Sequence, residues 1–211
     1  MCVKVIGFGT GRCGTKSLSA FLSNQPNTRV THESRFLAHL WYDDRDISFN
    51  HFWDVLHRVP MDFYGDVSFN HLPYVERLAV RSAAIKLIYL EREPDATVNS
   101  FYEWTGKNEF PVNHWLNEMH TPGQYIQSNF DKLFPKYDKY TRDKKTAIAL
   151  YVKDYHNQAR RLIEKYPDRI FKLKLAQLND DHKLNELLDW LGYDSNNRNI
   201  DKFKLNTNET A

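Results

Sequence analysis

The sequence predicts one three-layer α/β domain, with a mainly parallel central sheet flanked by helices, and three observations carry that expectation. A short apolar, β-branched run at residues 3–9 leads into a glycine-rich loop, and the loop opens into a helical stripe. Strand-like and helix-like segments then alternate along the chain, the pattern of βα units on a parallel sheet. The 211 residues contain no internal repeat and no low-complexity linker, and a chain of that length can bury a substantial core as a single domain, 1–211.

Taken in order, "VKVIGFG" (3–9) suits a buried strand, because it is continuously apolar apart from one lysine and ends in glycine. Leu18, Phe21 and Leu22 repeat at helical spacing, so a helix starts near Thr15 and stops before Pro26. "TRVTHE" (28–33) reads as a second strand, and 34–58 as mostly helical, rich in aromatics and histidine. "DFYGDVSF" (62–69) is a weaker strand, followed by a helix beginning near Pro73. "AAIKLIYLER" (83–92) is the strongest strand signal, and Pro94 opens the next helix, which carries Val98, Phe101 and Tyr102. Residues 105–140 break the rhythm with turn residues and aromatics, as a substrate lid or variable segment would. A long amphipathic helix follows at 142–166, with Ile148, Val152, Tyr155, Ala159, Leu162 and Tyr166 near one face. "RIFKLKLAQL" (169–178) is the last strand, and Leu184, Leu187, Leu188 and Leu191 form a closing helix stopped by Gly192.

Composition removes several function classes. The net charge is +2, from 29 basic and 27 acidic residues, too balanced to point to a nucleic-acid partner. No apolar stretch approaches the roughly 20 residues that span a bilayer, and no secretory signal precedes the first strand. Cys2 and Cys13 are the only cysteines, so neither a disulfide framework nor a cysteine-rich metal site is expected, and a reducing, cytoplasmic setting is. "HESRF" (32–36) puts Phe36 where a second metal-ligating histidine would stand, so no metal is expected.

The stretch "GTGRCGTKS" (9–17) resembles a phosphate-binding P-loop one residue out of register: Thr15 separates Gly14 from Lys16. Strand, glycine-rich loop and helix aim backbone N–H groups at an anion, and the helix N-terminus adds positive potential. Arg12, Thr15, Lys16 and Ser17 add cationic and hydroxyl donors. The other reading of this stretch is an ordinary tight turn whose side chains cap the helix. Arg92 follows the strongest strand, where a metal-dependent NTPase would carry an acid. Two separated anion sites are therefore expected. Cys13 lies beside two cations that would lower its pKa, and it reads as a loop-packing residue.

These residues resemble the sulfotransferase family, whose donor is 3′-phosphoadenosine 5′-phosphosulfate. Its first signature is a basic residue two before a glycine, a hydroxyl residue after it and an aliphatic four after it, here Arg12-Cys13-Gly14-Thr15-Lys16-Ser17-Leu18. Its second is an arginine at a strand end, a proline two residues on and a serine eight on, here Arg92, Pro94 and Ser100. "RVTHESRF" (29–36) is similar to the segment that carries the base of glycan-type members, and 170–194 to the closing strand and leucine helix. His32 stands in place of that segment's lysine, and Asp95 at a place that is often basic. Residues 34–60 and 105–145 carry no such match.

The resemblance implies a P-loop-like sulfotransferase that moves a sulfuryl group to a hydroxyl of a carbohydrate or small-molecule acceptor, leaving adenosine 3′,5′-bisphosphate. It implies Arg12 and Lys16 at the 5′-phosphosulfate, with Cys13, Gly14, Thr15, Ser17 and Leu18 completing the loop. It further implies Arg92 and Ser100 at the 3′-phosphate, Glu33 as general base and His32 beside it. Asp66 and His71 lie near a strand end, where they touch the acceptor or form an ordinary turn. Trp41, Trp53, Tyr102, Trp104 and Trp115 are either a ring-stacking platform or core. A P-loop kinase or NTPase, and a nucleotide-binding relative without catalysis, are the competing functions.

Overall fold

The structure, a computed structural model, describes residues 2–34, 46–107, 137 and 140–200. Five parallel strands form the sheet: β1 (Val3–Phe8), β2 (Thr28–His32), β3 (Phe63–Val67), β4 (Ile85–Glu91) and β5 (Ile170–Lys174), in the order β2-β3-β1-β4-β5. The helices are α1 (Thr15–Ser23), α2 (Asp46–Arg58), α3 (Val75–Arg81), α4 (Pro94–Lys107), α5 (Lys144–Lys165) and α6 (Asp181–Leu191). From β1 the chain crosses β3 to reach β2, returns through β3, and then passes to β4 on the other side of β1. The connections therefore diverge at β1, the place where ligands of open α/β sheets gather at the strands' carboxyl ends.

The pleat explains the three layers. Ile6, Phe8, Leu87 and Tyr89 face a core built with Phe49, Phe52 and Leu56 of α2 and Ile148, Tyr151, Val152 and Tyr155 of α5. Val5, Ile88 and Leu90 face the opposite core, with Leu18, Phe21 and Leu22 of α1 and the leucines of α6. Alternate residues of one strand thus serve different cores, and each fully buried aliphatic or aromatic side chain contributes about 1.5–3 kcal/mol. The stripe of α5 is set one turn earlier than its spacing suggests. Ala147, Tyr151 and His156 join its buried face, whereas Leu162 and Tyr166 are only partly covered. On α4, Val98 and Phe101 are buried but Tyr102 is exposed.

Two expected elements differ in extent, each for a local reason. The 62–69 strand ends at Val67 because Ser68 caps a 3-10 turn over Phe69–Tyr74, its hydroxyl accepting from Asn70 N at 3.1 Å. The α-helix then begins at Val75, beyond Pro73. The last strand ends at Lys174, whose N–H donates to the Gln177 side chain at 2.8 Å and curls the chain into a 3-10 turn over Leu175–Asn179. The closing helix stops where expected, at Gly192 with φ 90°. Most of the segment expected to be variable, 108–136 with 138–139, lies outside the described residues, as do residues 35–45.

β3 depends on a close approach at Gly65, which lies opposite Val5 in the ladder. A Cβ there would overlap the Val5 carbonyl oxygen. Gly65→Ala should force β1 and β3 apart and destabilise the fold by at least about 1–3 kcal/mol, the range for overpacking. Urea unfolding followed by far-UV circular dichroism measures this.

Candidate active site

All the expected site residues among the described ones fall at the carboxyl edge of the sheet, on the segments that follow β1, β2 and β4. The chain leaves β1 through Gly9, where a Cβ would lie 2.5 Å from both Cys13 Sγ and the Leu90 carbonyl oxygen. Gly14, at φ 97°, is the N-cap of α1, and its absent side chain leaves room for Leu175. Among the described residues no side chain caps α1, so the first-turn N–H groups that helix geometry leaves without intrahelical partners are available to an anion. Below the loop, Tyr151 donates its hydroxyl to the Thr10 carbonyl at 2.9 Å, holding the loop from α5. Cys13 is fully buried, and burial pushes its thiol up to about 11, outweighing the Arg92 charge. The expectation of a lowered pKa is therefore corrected, because desolvation disfavours the thiolate more than a neighbouring guanidinium favours it.

Two arginines meet above this loop. Arg12 Nε donates to Ser100 Oγ at 3.1 Å, and its guanidinium lies 5.8 Å from the Trp104 ring. Arg92 Nη1 donates to the Arg12 carbonyl at 3.0 Å. Partial burial first, and the Arg92 charge second, lower the Arg12 pKa. Among the described residues no carboxylate forms an ion pair with Arg12, Lys16 or Arg92. Glu91, adjacent to Arg92, is directed elsewhere: it bonds Lys172 at 2.9 Å and lies 3.4 Å from His156. Burial works to raise the Glu91 carboxyl, but Lys172 and His156 outweigh it and hold it below its ordinary value. The two anion sites expected from the sequence thus share a wall, with Arg12 reaching across to Ser100. Arg12 itself adopts φ 51°, a left-handed conformation that a non-glycine residue holds at a cost of about 1–3 kcal/mol and that clusters at functional sites.

On the other side of the loop stand His32 and Glu33. His32 Nε2 lies 3.0 Å from Thr15 Oγ1 and 3.6 Å from Glu33 Oε1. Desolvation lowers the His32 pKa; Asp66 works against it and Lys16 with it. Glu33 also sits at φ 51°. Burial, and then the nearby Asp66 charge, raise its carboxyl to about 7. A carboxyl in that range is matched to proton abstraction near neutral pH. Asp66 and His71 do not face an acceptor. Both are buried, at 0% and 1% exposure, and they bond each other at 2.8 Å. Of the aromatics, Trp104 lies under Arg12, Trp53 packs on His57 and Arg81, and Tyr102 is exposed. Trp41 and Trp115 lie outside the described residues.

Sequence reasoning missed the loop's supports. Tyr151 and Tyr155, one helical turn apart, donate to the carbonyls of Thr10 and Phe69 at 2.9 and 3.0 Å. The signal available was a pair of tyrosines four apart on an otherwise aliphatic face, since a buried hydroxyl needs an acceptor. Among the described residues, no three or more His, Cys, Asp or Glu side chains gather as a metal site, and no helix is long and apolar enough to cross a membrane.

The raised Glu33 carboxyl has a consequence for stability. The folded chain keeps that proton up to about pH 7, the unfolded chain only to about pH 4.3. The native state therefore binds more protons between those values, and stability falls as pH rises through them. Glu33→Gln should remove this loss, so the variant gains on the parent protein between pH 5 and pH 8 in thermal unfolding.

Known proteins share this fold. A model of the sulfotransferase domain family matches residues 4–194. Among solved structures, the chain is similar to a sulfotransferase from Alicyclobacillus acidocaldarius, with TM-score 0.62 and 16% identity over 99% of this chain and 88% of that one. It is similar to a sulfotransferase domain from the curacin biosynthetic pathway, with TM-score 0.58 and 11% identity over 92% and 75%. It is also similar to the mouse sulfotransferase SULT7A1 complexed with PAP, with TM-score 0.55 and 14% identity over 99% and 65%. No curated protein matches it in sequence. With nearly the whole chain under the family model, from the first strand to the turn after α6, the protein belongs to the sulfotransferase domain family.

Proposed function

We propose that the protein transfers the sulfuryl group of 3′-phosphoadenosine 5′-phosphosulfate to a hydroxyl of a carbohydrate or small-molecule acceptor, with Glu33 as general base. The observation that carries this reading is the meeting of Arg12, Arg92 and Ser100 without a carboxylate partner among the described residues. Two guanidiniums set close together repel each other unless an anion lies between or beside them, and a ribose 3′-phosphate offers the oxygens that such forks bind. The PAP-bound neighbour supports the same nucleotide. The donor supplies an electrophilic sulfur already joined to a good leaving group.

In this reading Arg92 and Ser100 bind the 3′-phosphate, and Arg12 closes the space between it and the loop. Lys16, with the N–H groups of Gly14, Thr15 and Ser17, grips the 5′-phosphosulfate, while Cys13 fills the loop from behind and Leu18, whose N–H closes the first helical turn on the Gly14 carbonyl at 3.0 Å, anchors it in the core. Glu33 takes the proton of the acceptor hydroxyl as that oxygen bonds to sulfur. The bond between sulfur and the bridging oxygen breaks in line, and Lys16 and the loop donors stabilise the charge left on the phosphate. His32, between Thr15 and Glu33, links the base to the loop. These fixed cations and dipoles supply the positive charge, so the reaction as proposed uses no metal. Cys2 and Cys13 are both free thiols, which fits a reducing, cytoplasmic setting. Membership of the sulfotransferase family weighs against the nucleotide-kinase alternative.

The test is transfer of labelled sulfate from the donor into a panel of glycans and small hydroxyl compounds, read by mass spectrometry. Transfer should persist in chelator, rise with pH through about 7, and be abolished by Glu33→Gln. Arg92→Ala should weaken adenosine 3′,5′-bisphosphate by about 10- to 100-fold, the value of one charge-assisted contact. Tight nucleotide binding without transfer to any acceptor would instead make the protein a non-catalytic relative. Preference for Mg-ATP in calorimetry would overturn the donor assignment.

A further inference from the structure

Glu33 sits in a left-handed turn immediately after β2, and a buried carboxylate holds both ends of that turn. Asp66 Oδ1 accepts from Thr31 Oγ1 at 2.6 Å and from Ser34 N at 3.0 Å, the residues on either side of His32 and Glu33. Its other oxygen, Oδ2, takes His71 Nε2 at 2.8 Å. Glu33 N donates to the Val67 carbonyl at 3.3 Å, which ties the middle of the turn to the same strand end. The ladder sets this alignment, because Thr31 lies opposite Asp66 and His32 opposite Val67. Asp66 is fully buried, and a buried carboxylate is retained only where donors replace its water. His71, whose Nδ1 has no hydrogen-bond partner among the described residues, uses its other ring nitrogen for Asp66 and lies beside the Phe52 ring.

We propose that Asp66 is a positioning residue for the transfer reaction: from the strand behind, its carboxylate clamps the Thr31–Ser34 turn so that Glu33 is presented to the acceptor. This rests on the reading of Glu33 as the base. His71 completes the clamp by fixing the carboxylate plane, so that Oδ1 faces the turn. The same placement sets a like charge behind Glu33, and Asp66 is the charge that raises the Glu33 carboxyl beside the effect of burial. Among the described residues, the other groups near Glu33 are His32 from β2 and Tyr151 from α5, and Lys16 of α1 acts on His32.

Two substitutions separate the clamp from the charge. Asp66→Asn keeps an acceptor for Thr31 and Ser34 but removes the charge. The acid limb of the kcat–pH profile should move to lower pH, with the donor KM unchanged. Asp66→Ala releases the turn and should lower kcat by about 100-fold, the scale of a misplaced catalytic group, again with the donor KM unchanged. Where Asp66→Ala fails to fold, Thr31→Val removes one of the two ties and should lower kcat in the same sense. Carbon-13 carboxyl NMR of labelled glutamate, with the Glu33 signal assigned by its loss in Glu33→Gln, gives a readout independent of activity. Glu33 should titrate at lower pH in Asp66→Asn than in the parent. An unmoved Glu33 titration and acid limb in Asp66→Asn, with an unchanged kcat in Thr31→Val, would overturn the proposal. Should Glu33→Gln instead retain full turnover, the base reading itself fails, which is a different outcome from a Glu33 that is essential but indifferent to Asp66.

Discussion

The site is organised around positive charge at one edge of the sheet for which the described residues supply no carboxylate partner. Arg92 reaches back to the Arg12 carbonyl while Arg12 reaches forward to Ser100. Glu91, one of the two acids adjacent to Arg92 in sequence, is occupied by Lys172 and His156. The fold keeps the two guanidiniums close despite their repulsion, and the means are visible in the packing. β1 lies in the middle of the sheet, Cys13 is buried beneath the loop, and Tyr151 ties the loop to α5. A loop fixed this firmly is preorganised: its cations and dipoles do not have to reorient when an anion arrives.

The opposite side of the loop is built on the reverse electrostatic logic. Two carboxylates, Glu33 and Asp66, lie near each other; Asp66 is enclosed by donors while Glu33 is left partly exposed at the end of β2. The enclosed one accepts from Thr31, Ser34 and His71, while burial and then the Asp66 charge raise the Glu33 carboxyl. Thr15 and His32 join the halves, since the first residue of α1 bonds the histidine that neighbours Glu33. The proposed donor loop and the segment proposed to carry the base are thereby joined through one side-chain contact.

Much of this was legible in the sequence because it is written in short-range spacing. The apolar run before Gly9, the offset of Lys16 from Gly14, and the eight-residue step from Arg92 to Ser100 are local patterns, and each landed on the element expected. What was not legible depends on pairs far apart in the chain. Asp66 looks like an ordinary strand-end acid until β2 and β3 are aligned and Thr31 falls opposite it. Arg12 was expected over the 5′ group, and only the packing of α4 against the loop brings it to Ser100, 88 residues away. The pKa of Cys13 was misjudged for a related reason: charge can be counted along a sequence, whereas burial cannot.

The proposed donor requires recognition of a ribose 3′-phosphate by the Arg12–Arg92–Ser100 cluster. Isothermal calorimetry of adenosine 3′,5′-bisphosphate against adenosine 5′-monophosphate, in the parent protein and in Arg92→Met, isolates that one group. The parent should prefer the bisphosphate by about tenfold or more, the value of one or two charge-assisted hydrogen bonds, and the preference should collapse in the variant. Equal affinity of the parent for both nucleotides, or an undiminished preference in Arg92→Met, would contradict it.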